Sequence, residues 1–195
     1  MSIAIKFMQE HTERTYFGFW VYLMTDLIMF AVLFATYAAL RANTFGGPTS
    51  NEIFNLPLAL GETLILLTSS FTCGLGMLFI KLDNKNKALL LFVITFMLGL
   101  SFLYLEISEF SSLIKDGASY TRSAFLSSFF TLVGTHGIHI TVGLFWMSLL
   151  LIKLIKNGLT EGTVRKLTLF SYFWHFLDIV WIFIFTIVYL MGVMM

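Results

Sequence analysis

The sequence predicts an all-α integral membrane protein, a bundle of five transmembrane helices with a cytoplasmic N-terminus and a periplasmic C-terminus. Three observations carry this reading. The 195-residue chain is 58% hydrophobic and 12% charged, with a mean hydropathy of +0.87, whereas a soluble domain carries about a quarter charged residues. Only two prolines occur, and each apolar run is bounded by a polar cluster, which favours helices over the alternating strands of a membrane barrel. Five of these runs reach the length needed to span roughly 30 Å of hydrocarbon at about 1.5 Å per residue.

Residues 1–15 read as a short cytoplasmic tail containing Lys6, Glu10, His11, Glu13 and Arg14. The tail has no small-residue cleavage pattern and the apolar run behind it is too long for a signal peptide, so that run is expected to stay in the mature chain. The helices fall at about 17–40, 57–80, 88–110, 125–152 and 168–192. Between them lie a Gly-Pro loop (41–55), a short Asp-Asn-Lys hairpin (81–87), a Ser-rich loop (111–123) and a Lys-Asn-Gly link (153–166). No linker is long enough to separate a second domain, and 1–195 reads as one membrane domain without internal repeats.

Orientation follows from the basic residues, because short loops rich in Lys and Arg stay on the cytoplasmic side. Lys6, Arg14, Lys81, Lys85, Lys87, Lys153, Lys156, Arg165 and Lys166 fall on one side of a five-helix topology, and Arg41, Lys115 and Arg122 on the other. Nine against three places the N-terminus in the cytoplasm. The formal charge of +1 gives no argument for a nucleic-acid partner. Cys73 is the only cysteine, which excludes an intrachain disulfide and argues against a thiolate metal cluster.

Each helix carries a polar or small-residue stripe at helical spacing. The stripes run Tyr22, Asp26, Met29, Thr36; Glu62, Ser69, Cys73, Gly76; Thr95, Gly99, Phe102, Glu106, Glu109; Gly134, His136, Gly137, His139, Thr141, Gly143; and Thr168, Tyr172, His175, Asp178, Thr186, Tyr189. Small and hydroxylated residues let transmembrane helices approach and hydrogen-bond. The stripes are therefore expected to face a bundle interior or a partner.

Seven side chains need an account: Asp26, Glu62, Glu106, His136, His139, His175 and Asp178. A charged group at the centre of a membrane helix costs about 2.5 to 3.5 kcal/mol on the insertion scale. His175 and Asp178, three residues apart, share a helix face. Helix direction places Glu62 and Glu106 roughly 10 Å outside the midplane, His136 and His139 near it, and Asp26, His175 and Asp178 at or somewhat inside it.

A carboxylate-bridged di-metal site would need Glu106 and His175 to meet, and their separation along the membrane normal far exceeds a metal–nitrogen bond of about 2.1 Å. The Glu-x-x-His pair of di-iron bundles is also missing. A haem would need His136 or His139 together with His175. A proton path is open to any set of intramembrane acids and histidines, although the broken helices of many transporters are not evident. The reading that asks least is structural: these groups pair across helices, with Asp26 and the His136/His139 pair as partners for His175 and Asp178.

Phe17 to Trp20, Tyr22 and Tyr189 read as interfacial anchors. Neither a phosphate-cradling glycine loop nor a serine or cysteine nucleophile with its base can be assembled.

Gly134-Thr135-His136-Gly137-Ile138-His139-Ile140-Thr141-Val142-Gly143, with Tyr172-Phe173-Trp174-His175-Phe176-Leu177-Asp178-Ile179-Val180-Trp181, resembles the signature pair of subunit III of the haem-copper oxidases. Phe17-Gly18-Phe19-Trp20-Val21-Tyr22-Leu23-Met24-Thr25-Asp26, Phe34-Ala35-Thr36-Tyr37-Ala38, Gly46-Gly47-Pro48-Thr49, Glu106-Ile107-Ser108-Glu109-Phe110 and Val188-Tyr189-Leu190-Met191-Gly192 are similar to the cytochrome o ubiquinol-oxidase branch of that family. The similarity covers nearly the whole chain from Tyr16 on.

The resemblance implies a non-catalytic supporting subunit of a proton-pumping terminal oxidase that oxidises ubiquinol and reduces oxygen to water in a bacterial inner membrane. It implies that haem and copper sit in partner subunit I and that this chain holds no haem, copper or quinone. It further implies packing among subunits I, II and IV, bound membrane lipid, and support of proton uptake. Asp26 matches the position where many relatives carry an intramembrane glutamate, one methylene longer. Glu62 stands where seven-helix relatives have a neutral polar residue. Against this stands a different class, a free-standing membrane metalloprotein or small transporter using the same His, Asp and Glu groups.

Overall fold

The computed structural model describes residues 3–194. The side chains of Lys6, Glu10 and His11 lie outside those described. The helices are α1 (Ile3–Leu40), α2 (Ser50–Ile53), α3 (Leu56–Lys81), α4 (Lys85–Lys115), α5 (Ala124–Asn157) and α6 (Glu161–Ile184). A π-helical segment, Phe185–Leu190, then leads into α7 (Met191–Met194). No strand occurs among the described residues. Five spans are long and apolar enough to cross a membrane: Glu13–Leu40, Leu56–Lys81, Lys85–Lys115, Ala124–Asn157 and Glu161–Met194.

Each span after the first starts on a capping side chain, which satisfies one of the orphan N–H groups of a helix start. Asn55 accepts from the Leu58 N–H at 3.3 Å, Asn84 from Lys87 at 3.2 Å, Ser123 from Leu126 at 3.2 Å and Thr160 from Thr163 at 3.3 Å. The helices run longer than hydropathy predicts, because polar first turns such as Glu161 to Lys166 continue the helical hydrogen bonding from the cap. Helix α1 likewise extends back to Ile3, through the segment expected as a tail. Between α1 and α3, the Glu52 carboxylate accepts from the Thr49 N–H at 3.0 Å and sets up the short α2.

Helix α3 lies along α4, α4 against α5, α5 against α6, and α6 closes back on α3. Helix α1 packs on the outside of this ring, against α5 and α6. Its inward face is Leu23, Asp26, Phe30 and Tyr37, at spacings of three, four and seven. The stripe expected on α1 is therefore only partly internal. Tyr22 and Thr36 are exposed, and the Thr36 hydroxyl donates back to the Val32 carbonyl at 2.9 Å. A helix with neighbours on one side buries a narrower arc. On α3 and α4 the expected stripes are buried throughout: Glu62, Ser69, Cys73 and Gly76, then Thr95, Gly99, Phe102, Glu106 and Glu109.

Contacts near the helix termini establish two ends. Lys85 Nζ donates to the Ile155 carbonyl at 3.0 Å, joining the α3–α4 hairpin to the C-terminal end of α5. At the other end the Phe125 N–H donates to the Asn43 carbonyl at 3.3 Å and the Ser50 hydroxyl to the Gly192 carbonyl at 2.6 Å. Lys81, Lys85, Lys87, Lys153 and Lys156 thus gather at one end, and Arg41, Lys115 and Arg122 at the opposite one.

Candidate functional site

The intramembrane acids and histidines fall into three separate sets, each built by a different combination of elements. The first is a seam between α3 and α6. Trp174 and Trp181 are seven residues apart and so lie on one face of α6. Trp174 Nε1 donates to Ser69 Oγ at 3.1 Å and Trp181 Nε1 to Thr63 Oγ1 at 3.0 Å. His175 Nδ1 and Ser70 Oγ are 2.6 Å apart. Asp178, one turn further on, also interacts with Ser70, and its Oδ1 has no partner. His175 therefore meets a serine on α3, and not the partners expected for it: Asp26 and His139 face each other, and His136 packs among aromatic rings.

The indole of Trp174 fills a slot between two glycines. A Cβ at Gly99 would stand 2.9 Å from Trp174 Cη2, and one at Gly143 would stand 3.0 Å from Trp174 Cζ3. Small residues here let α4 and α5 close onto the ring.

The second set joins α1 to α5. His139 Nε2 lies 3.7 Å from Asp26 Oδ2, while His139 Nδ1 is 2.7 Å from the Thr135 carbonyl. A carbonyl only accepts, so Nδ1 carries the hydrogen and Nε2 faces the carboxylate. His136, one turn away, is fully buried with no hydrogen-bond partner at either nitrogen. Its ring packs among Phe30, Phe102 and Trp181, with centroids 6.4, 5.9 and 5.3 Å away.

The third set lies toward the end that carries Arg41, Lys115 and Arg122. Glu62 of α3 and Glu106 and Glu109 of α4 are mutual electrostatic neighbours. Tyr189 donates to Glu109 Oε2 at 2.8 Å. Tyr189 is fully buried, which corrects its reading as an interfacial anchor. It reaches the cluster because the wide turn Phe185–Leu190 places one extra residue in the helix, with the Met191 N–H bonded to the Thr186 carbonyl in the i→i−5 pattern. Gly137 makes room for Glu106, since a Cβ there would stand 2.8 Å from Glu106 Oε1.

Glu109 stands on the stripe expected for α4 but not among the seven side chains singled out from the sequence, Tyr189 is also read there as an interfacial anchor, and Thr63 and Ser70 are passed over. The Glu106/Glu109 spacing was the available signal for the first. Nothing in the letters singles out Ser70 among many serines. Among the described residues no group of three or more His, Cys, Asp or Glu side chains is placed to hold a metal ion.

A bundle of five spans whose polar interior is assembled helix against helix defines a multi-pass membrane protein. Residues 6–193 match the family described as cytochrome c oxidase subunit III, and the chain belongs to that family. It is 53% identical to the cytochrome bo(3) ubiquinol oxidase subunit 3 of Pseudomonas aeruginosa over 92% of this chain and 86% of that one. Identity is 42% to the quinol oxidase subunit 3 of Bacillus subtilis, over 98% of this chain and 94% of the relative. It is 46% to a protein named cytochrome c oxidase subunit 3 from Bacillus sp. strain PS3, over 92% and 87%.

Proposed function

We propose that this chain is the third subunit of a proton-pumping terminal quinol oxidase of a bacterial inner membrane, supporting the catalytic subunits without carrying a redox centre. The observation that carries this reading is the near full-length match to quinol-oxidase third subunits, with 53% identity to the Pseudomonas aeruginosa protein. In the complex, subunit I supplies haem and copper, where electrons from quinol reduce oxygen to water. Subunits I, II and IV and membrane lipid are the partners. The hydrogen-bonded seam of Ser69, Ser70 and Thr63 with Trp174, His175 and Trp181 suits a supporting role, because it spends the intramembrane polar groups on holding helices in register. The basic end, with Lys81, Lys85, Lys87, Lys153 and Lys156, faces the cytoplasm in this reading.

Purification through a tag on this chain tests the proposal. Reduced-minus-oxidised spectra should reveal haem in the co-purified material, and oxygen consumption should be faster with ubiquinol than with reduced cytochrome c. Recovery of the chain without a haem-bearing partner, or stoichiometric iron, copper or zinc bound to this chain itself, would overturn it.

A further inference from the structure

The cluster of Glu62, Glu106 and Glu109 is left without counter-charge inside an apolar span, and a polar cavity reaches its edge. Glu62 is 0% and Glu106 2% exposed, and no oxygen of either side chain has a hydrogen-bond partner. Glu109 Oε1 is likewise unpartnered, while Oε2 takes the Tyr189 hydroxyl. Among the described residues, the elements packed around the cluster supply no cation to these oxygens. Helix α5 offers Gly137 and the aromatic-packed His136, α6 offers Trp181 with its N–H given to Thr63, and the π segment offers Tyr189.

The second observation is a cavity of about 700 Å³ between α2, the start of α3 and the C-terminal part of α4. Glu52, Asn55, Ser108, Glu109, Ser112 and Asp116 lie in its wall. Glu109 therefore faces this cavity on one side and Glu62 and Glu106 on the other.

Three buried carboxylates, two wholly unpartnered and the third with one bare oxygen, need positive charge that the described residues do not supply. Water can bring it as protons or as a metal cation, and the side chains among the described residues do not converge as a metal site requires. We propose that Glu62, Glu106 and Glu109, with Tyr189, form a proton-holding site that exchanges with water through the cavity at the Arg41/Arg122 end of the bundle. A proton entering from hydronium turns a carboxylate into a carboxylic acid and leaves water behind. The site goes beyond the supporting role proposed above and stands independently of it. Protons held by such neighbours belong to the group as a whole.

Infrared spectroscopy tests this on the material purified through a tag on this chain, with whatever subunits accompany it. At neutral pH the wild type should show a carbonyl stretch of protonated carboxylic acid that shifts in D2O. Glu62→Gln and Glu106→Gln should each remove part of that band. Ser108→Phe, which fills the cavity, should leave the band in place and slow its shift in D2O. If a Gln variant does not accumulate, Tyr189→Phe removes one neutral hydroxyl and should shift the Glu109 contribution to the band. A band unchanged in all the carboxyl and tyrosine variants, deuterium exchange as fast in Ser108→Phe as in wild type, or a stoichiometric metal cation lost from Glu106→Gln would each overturn the proposal.

Discussion

His175 and Ser70 illustrate how this chain keeps a polar side chain inside an apolar span. Their 2.6 Å contact joins α6 to α3, and the hydroxyl can serve either tautomer of the ring. Ser70→Ala should leave the imidazole nitrogen without a partner and lower stability by about 1–3 kcal/mol. Thermal denaturation of the detergent-solubilised material reads this as a lower midpoint, with Ser70→Thr closer to wild type because it keeps the hydroxyl. His175 and Asp178 were legible in the sequence because an ionisable group in hydrocarbon stands out. Their partner was not, because a serine is unremarkable in a membrane helix. Asp26 and His139, expected to serve His175, instead face each other at 3.7 Å between α1 and α5.

At the level of elements, two features depend on how a helix is wound or how closely it is approached. The π segment Phe185–Leu190 turns Tyr189 toward Glu109. Deleting Ile187 should restore a regular helix and rotate Tyr189 by about 100°. Tyr189→Phe should then be destabilising in the parent chain and without effect in the deletion background, a comparison a double-mutant cycle reads directly. The second feature is the Trp174 slot. Gly99→Ala would place a methyl 2.9 Å from both Trp174 Cη2 and Leu144 Cδ2, an overpacking that costs roughly 1–3 kcal/mol. A lower denaturation midpoint, relieved by combining Gly99→Ala with Trp174→Phe, is the expected result. The helical period alone places Gly99 on the inner stripe, yet which ring would press on it depends on the height of α6 relative to α4.

For the molecule as a whole, the division of basic residues between two ends gives a prediction about sidedness. A phosphatase fused after Met195 should be active in the periplasm, whereas one fused at Asp83 in the α3–α4 hairpin should be inactive. The opposite pattern would invert the proposed orientation. Five spans, their order and the inner faces of α3 and α4 were readable from the sequence alone. Hydropathy over about 20 residues and the 3.6-residue period are properties of one helix at a time.

What the tertiary structure alone decided is which faces meet. It set α1 outside the ring of α3, α4, α5 and α6, so that half of its expected stripe looks outward. It also separated Asp26 and His139 from His175 and Ser70, and drew Glu62, Glu106, Glu109 and Tyr189 into one buried cluster. Contacts of this kind depend jointly on the rotation and height of two helices, and the periodicity of either one leaves both quantities free.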